Sequence, residues 1–257
     1  MFGVSLKKIF AYGFLLLAVF LCSVIVHLPA KFAIEQLPRI NGLSISGISG
    51  TLWQGRAKSV SWQQYGFGEV NWDLQAWKLI QGKAELNIRF GRNSELGLTG
   101  RGTVGYGFSG PYANNLMASI PADQALKYVN IPAPVTADGQ FELIVKDYKY
   151  ASPWCETGEA NLVWNQSVVS SPLGNLDLGT IISDISCTDS QLAAKGNQET
   201  AQVSGAFTAS LQPNMTYDLD AWFKPGAEFP QRLGEQLKWL GEPNGQGQYP
   251  FVYSGKL

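Results

Sequence analysis

Twenty consecutive residues, Ile9 to Leu28 (IFAYGFLLLAVFLCSVIVHL), contain no Asp, Glu, Lys or Arg. At about 1.5 Å per helical residue such a run measures roughly 30 Å, the thickness of a bilayer's hydrocarbon core. Lys7 and Lys8 stand directly before it. The positive-inside bias therefore predicts a cytoplasmic head over 1–8, a transmembrane anchor over 9–28 and an exported domain over 29–257. A cleaved signal peptide is the rival reading. Its apolar region is about 7–15 residues long and ends in a small-x-small cleavage site. This run is longer, and Leu28 is poorly suited to the position three places before a cut after Ala30. The uncleaved anchor fits better.

Beyond the run, the hydrophobic pattern changes from continuous to alternating. Ala84, Leu86, Ile88 and Phe90 point one way, and Lys83, Glu85, Asn87 and Arg89 the other. The same period of two recurs at Leu43–Gly47, Val70–Leu74, Phe141–Val145, Ala160–Trp164, Val203–Leu211 and Met215–Phe223. Strict alternation marks antiparallel strands with one wet face. With 28 glycines for tight turns, the pattern predicts a mainly β fold. The expected form is a large curved antiparallel sheet, a β-groove or half-barrel. Pro29 to Pro38 reads as a short helical or irregular neck leading away from the bilayer. Two short helices are expected, at Pro121–Val129 and about Glu228–Leu240. A faint echo of Gly55-x-Ala57, Trp62 and Trp72-Asp73-Leu74 in Gly158-x-Ala160, Trp164 and Asp177-Leu178 would suit two related β halves, although chance explains it as well. Their joint would lie near 111–134.

The missing residue types restrict the chemistry. The one histidine, His27, sits at the outer edge of the run, where it reads as a polar cap. An exported domain without histidine has no Ser-His-Asp or Cys-His set, and two distant cysteines do not complete a tetrahedral zinc site. Gly100 to Gly105 matches G-x-G-x-x-G, but Tyr106 to Pro111 cannot open the helix that a dinucleotide fingerprint requires. A glycine-rich strand is expected there. No cofactor, metal or catalytic residue is assigned, and the scattered carboxylates read as solvated strand faces. Of the 19 Lys and Arg, two precede the apolar run, leaving 17 against 20 acids. That balance offers no basic footprint for nucleic acid.

Cys22 lies within the apolar run and reads as a small apolar group. Cys155 and Cys187 both fall on the exported side, 32 residues apart. An oxidising compartment would join them, with two separate buried thiols as the alternative. Aromatics crowd the segment from Trp53 to Trp77. Core filling beneath a curved sheet is the plain reading, and an open apolar groove that includes Trp62 and Trp72 is the functional one.

At Gly50-Thr51-Leu52-Trp53-Gln54-Gly55-Arg56-Ala57, after a single span and before Trp72-Asp73-Leu74, the chain resembles the protein N family of the bacterial type II secretion system, also called general secretion pathway protein N. Gly139, Cys155, Cys187 and the closing segment Gly247–Leu257 are similar to that family too. The motif residues are Gly50, Thr51, Leu52, Trp53, Gly55 and Ala57. The resemblance implies a non-enzymatic inner-membrane component of the machine that moves folded periplasmic proteins across the outer membrane. Its domain would be periplasmic, its partners other inner-membrane subunits, and its fold like the β grooves of lipid-bridge proteins. The expected role is a structural or assembly factor. The alternative is a periplasmic scaffold that binds lipid in an apolar β-groove.

Overall fold

The computed structural model describes residues 6–36, 41–128 and 134–256. Helix α1 (Leu6–Val26) is followed by α2 (Ala30–Glu35) and the strands β1 (Leu43–Ser46), β2 (Ser49–Gly50), β3 (Gln54–Trp62) and β4 (Tyr65–Leu74). Helix α3 (Ala76–Leu79) leads to β5 (Ala84–Arg92), β6 (Thr99–Gly107) and β7 (Gly110–Pro121). After α4 (Ala122–Leu126) come β8 (Thr136–Lys149), β9 (Thr157–Ser171), β10 (Gly174–Thr188), β11 (Gln191–Glu199), β12 (Val203–Leu211) and β13 (Thr216–Pro225). Helix α5 (Gln231–Gly234), a 3₁₀ turn at Leu237–Trp239 and β14 (Tyr249–Lys256) complete the chain.

The 14 strands form one antiparallel sheet in sequential order, with β1 and β2 both pairing with β3. The sheet is open: the first and last strands do not meet among the described residues. Near-continuous hairpin connection gives each strand its neighbour in sequence as its neighbour in space, the simplest way to satisfy backbone donors and acceptors. Strands pack on their sheet neighbours, and among the described residues no second sheet lies across either face. The mainly β expectation holds, and the GRGTVG segment is strand β6 rather than a phosphate loop.

The differences from expectation have local causes. The helix expected over Pro121–Val129 is only Ala122–Leu126, because Pro121 still pairs with Gln140 at the end of β7. Val129 falls outside the described residues. The helix expected over Glu228–Leu240 is broken into α5 and the 3₁₀ turn. Gly234 interrupts it, and neither piece buries a residue that would offset the cost of glycine in a helix. Helix α2 lies within the Pro29–Pro38 neck, and α3 is additional. In the segment 111–134, β7 pairs with strands on both sides, so the sheet runs through its first half.

The apolar run is helical, but α1 starts at Leu6 and ends at Val26. Among the described residues, no helix is long and apolar enough to cross a membrane. The side chains of residues 6–11 and 22, within the same helix, lie outside the description.

Candidate functional site

Cross-strand pairing converts the alternation of single strands into two continuous faces. One ladder runs Ala57, Val70, Phe90, Gly100, Ala118, Leu143, Leu162, Ser183, Gly196, Phe207, Ala221, Phe251, from β3 to β14. Every member is apolar or glycine except Ser183, which is buried. The ladder one residue away runs Arg56, Asn71, Arg89, Arg101, Met117, Ile144, Asn161, Asp184, Lys195, Thr208, Asp220, Val252 on the opposite face. It is largely polar, with the Asn161 side chain donating to Asp184 at 2.7 Å and Lys195 Nζ 3.9 Å from the same carboxylate. The sheet therefore has one greasy and one wet surface along its whole width.

Among the described residues no second layer lies along the greasy surface; α4 packs only on β7 and β8, with Tyr128 against Tyr65, so the side chains shield one another only in part. Phe90, Leu143, Leu162 and Phe207 are all half-buried. The fully buried apolar residues are small: Ala30, Ala57, Ala122, Ala137, Cys155, Cys187 and Val203 are among them, with Leu96 the largest. A conventional core would bury large side chains almost completely. Within this surface, Gly100 and Gly196 leave room for the rings of Phe90 and Phe207, since a Cβ would come within 2.4 and 2.6 Å of them. At one end, Leu86, Val104, Ala113 and Tyr148 line a depression of about 440 Å³.

The GTLWQGRA motif joins this sheet to the apolar helix. Thr51 and Gln54 close a tight turn, with Thr51 N–H donating to the Gln54 carbonyl at 2.8 Å and Gln54 N–H to Thr51 Oγ1 at 3.1 Å. From that turn, Leu52 N–H donates to the Leu28 carbonyl at 2.9 Å, and Trp53 Nε1 donates to the Ile25 carbonyl at 2.9 Å. Carbonyls in the last turn of a helix have no intrahelical partner, and here the motif supplies one. Trp72 Nε1 in turn donates to the Leu52 carbonyl at 3.2 Å, and Leu74 N–H to the Trp53 carbonyl at 2.6 Å. Gly50 adopts φ +90, where a side chain would be strained and would also meet the Gln54 carbonyl oxygen at 2.5 Å. Ala57 is buried at the start of the apolar ladder. Of the six motif residues, Leu52 and Trp53 reach the helix end, Gly50 and Thr51 shape the turn, and Gly55 and Ala57 belong to β3.

The two tryptophans considered for a groove are not brought together. Trp72 pairs with Gly55 on the apolar face and is half-buried, whereas Trp62 pairs with Tyr65 at the other end of β4 and is 47% exposed. Seven residues of strand separate those positions, roughly 23 Å. Sequence reading missed Leu143, Leu162 and Phe207 as the centre of the apolar surface. The alternation in each strand was visible, but the registers that align the strands were not.

Cys155 and Cys187 are bonded. The bridge ties the loop before β9 to the end of β10, beside a hairpin turn in which Ser190 N–H donates to the Cys155 carbonyl at 2.8 Å. Trp154 Nε1 donates to the Ser190 carbonyl at 2.7 Å, and Tyr148 donates its hydroxyl proton to the Trp154 carbonyl. Burial, and then the neighbouring Tyr150, hold the Tyr148 phenol above its ordinary pKa. Among the described residues no group of His, Cys, Asp and Glu is arranged to hold a metal.

A one-layer sheet with a continuous apolar face, joined to the end of an apolar helix by the Trp53 side chain and, just beyond the helix, by the Leu52 backbone, has the build of a structural scaffold. Residues 41–252 match the family model for type II secretion system (T2SS), protein N. The chain belongs to that family and is a component of the type II secretion system. It is 48% identical to the type II secretion system protein N of Vibrio cholerae serotype O1 over 98% of this chain and 100% of that one. The corresponding protein of Aeromonas hydrophila is 34% identical, over 95% of this chain and 96% of that protein. At 26% identity, the protein of Pectobacterium carotovorum subsp. carotovorum aligns over 99% of this chain and 96% of its own length. No solved structure matches the chain.

Proposed function

We propose that this secretion component is a non-enzymatic structural or assembly factor. In this reading α1 anchors it in the bacterial inner membrane, its N-terminus is cytoplasmic and the sheet stands in the periplasm, where it contacts other inner-membrane subunits of the apparatus. The helix–sheet joint carries the proposal. Three successive motif residues, Thr51, Leu52 and Trp53, are committed to a turn and to the carbonyls at the end of the apolar helix. Such a joint fixes the sheet relative to the helix, as an assembly factor needs if its surface is to meet neighbours embedded in the same membrane. Lys7 and Lys8 at the start of α1 set the expected orientation. A disulfide between Cys155 and Cys187 suits an oxidising periplasm.

A reporter fused after the last strand should be active only when exported. Loss of the gene should lower secretion of folded enzymes or the level of a neighbouring subunit. A cytosolic reporter, or unchanged secretion and subunit levels, would refute the reading.

The uncovered apolar ladder favours a second reading, a scaffold that holds lipid in its groove. Native mass spectrometry of the detergent-extracted protein would then retain lipid, and Leu143→Asp with Leu162→Asp would lose it. Retention of a protein subunit without lipid would favour the first reading alone.

A further inference from the structure

The strand ends beside the helix joint carry an unusual set of loops. The last described turn of α1 is held to the first residues of the sheet through Ile25, Leu28, Leu52 and Trp53. From there the same edge of the sheet continues through three further connections: the α3 segment between β4 and β5, the β6–β7 hairpin and the loop after β8. Their tips are apolar and open. Ile80 is 91% exposed and Phe108 95% exposed, and Trp77 and Tyr106 are exposed beside them. The tips belong together. A Cβ on Gly82 would lie 2.2 Å from the Phe108 ring, and Tyr150 N–H donates to the Pro111 carbonyl at 2.9 Å.

Their chemistry is one-sided as well. The α3 segment and the β6–β7 hairpin, residues 75–83 and 107–110, contain no Asp or Glu and include Lys78 and Lys83, with Lys78 3.5 Å from Glu85 at the start of β5; the loop after β8 carries one acid, Glu156, which Lys149 neutralises at 2.7 Å. Lys78 Nζ sits 4.5 Å from the Trp77 ring centroid. The exposed apolar residues at the opposite end, Trp239 and Leu240, lie instead between Glu235 and Glu242. Indole, phenol and aliphatic tips beside lysines, with the nearby acids Glu85 and Glu156 each paired to a lysine, match the headgroup zone of a bilayer, where aromatic rings sit at the interface and an uncompensated acid is repelled by anionic lipid.

We infer that this rim, with Ile80 and Phe108 at its tips, dips into the outer surface of the membrane that holds α1. The inference rests on α1 being an anchor. Only His27, two steps or about 7 Å of chain, lies between Val26 and Leu28, whose carbonyl already belongs to the joint. The β6–β7 hairpin lies three to four strands away along the same edge, about 15–20 Å at the usual strand spacing. The rim is therefore held near the bilayer surface by the joint itself. The apolar depression bounded by Leu86, Val104 and Tyr148 opens at this same end, so the greasy surface of the sheet would begin where the membrane ends.

The test uses the full chain carrying Cys22→Ser, with the Cys155–Cys187 bridge kept, in nanodiscs of phosphatidylethanolamine and phosphatidylglycerol. Single cysteines are introduced by Ile80→Cys, Phe108→Cys, Trp239→Cys and Val19→Cys and labelled with an environment-sensitive dye. Labels at 80 and 108 are expected to emit further to the blue than the label at 239, to be quenched by headgroup-proximal spin-labelled lipid, and to resist iodide. Ile80 makes the second variant safe, because so exposed a side chain contributes little packing. Labels at 80 and 108 that behave like 239, while 19 is quenched by lipid, would overturn the rim and leave the anchor standing. Resistance to iodide without quenching by lipid would also overturn it, in favour of a protein cover. An aqueous label at 19 would overturn anchor and rim together.

Discussion

Trp72 lies across Gly55: a Cβ on that glycine would sit 2.4 Å from the ring's Cζ2, and the two residues are paired across β3 and β4. The ring's Nε1 reaches the Leu52 carbonyl at 3.2 Å, so its position also sets the turn that grips α1. Gly55→Ala should therefore destabilise the fold by about 1–3 kcal/mol, the usual range for overpacking. Chemical denaturation of the detergent-solubilised protein would measure it. Unchanged stability would mean that Trp72 moves freely and the joint is looser than its geometry.

Trp53→Phe keeps the ring but removes the donor to the Ile25 carbonyl. A lost hydrogen bond of this kind costs about 1 kcal/mol, and that carbonyl is left with only the longer bond from Leu28 N–H at 3.3 Å. The expected result is faster amide hydrogen exchange at Leu52 and in the last turn of α1, with little change in the distant strands β10 to β13. Equal exchange throughout would remove the motif's proposed role.

Cys155→Ser with Cys187→Ser opens a loop closed by a sequence separation of 32 residues. Loop-closure entropy puts the loss at about 3 kcal/mol, concentrated at the end of the sheet where Trp154 and Ser190 meet. Thermal melts of the oxidised, reduced and doubly substituted proteins should separate the first from the other two.

Tyr112 donates to Glu85 Oε2 at 2.8 Å, reaching over Gly105 between them. Its phenol is pushed up from 10.0 to about 12 by burial, then by the hydrogen bond and negative charge of Glu85. The folded pKa lies above the unfolded one, so this contribution is fully present below pH 10 and is lost as pH rises to about 12. An absorbance titration should reveal one late-ionising tyrosine that disappears in Tyr112→Phe. That variant should also lose less stability than the parent across the same window. A tyrosine count unaltered above pH 11 would contradict it.

The uncovered ladder gives a prediction about binding rather than stability. An apolar dye or detergent should bind to the wild-type sheet. Leu143→Asp, at the centre of the half-buried face, should weaken that binding severalfold with the far-ultraviolet spectrum retained. The mirror change on the wet face, Asn161→Asp, should leave it unaltered.

Much of this was readable in the chain. The period of two in Lys83–Phe90 and Met215–Phe223 identifies strands, because successive side chains in extended backbone alternate whatever their neighbours are. The charge-free run from Ile9 likewise identifies a helix, since apolar residues with no polar stripe favour one that satisfies its own backbone. Other elements were hidden. Gln191–Glu199 (QLAAKGNQE) has little β propensity, yet it is strand β11 because β10 and β12 offer a ladder on both sides. Residues 228–240 have helical spacing but lie where no surface receives their apolar face, so only short turns form.

The single sequence determined which residues alternate, which run is greasy and which two cysteines lie outside that run, since each follows from local chemistry. Register decided the rest. A one-residue slip would have scattered Ala57, Phe90, Leu143 and Phe251 over both faces, and only the hydrogen-bonded pairing of twelve strands aligns them into one surface. The folded chain alone also brings Trp53 to Ile25, across 28 residues of sequence, because that contact depends on where β3 begins relative to the end of the helix.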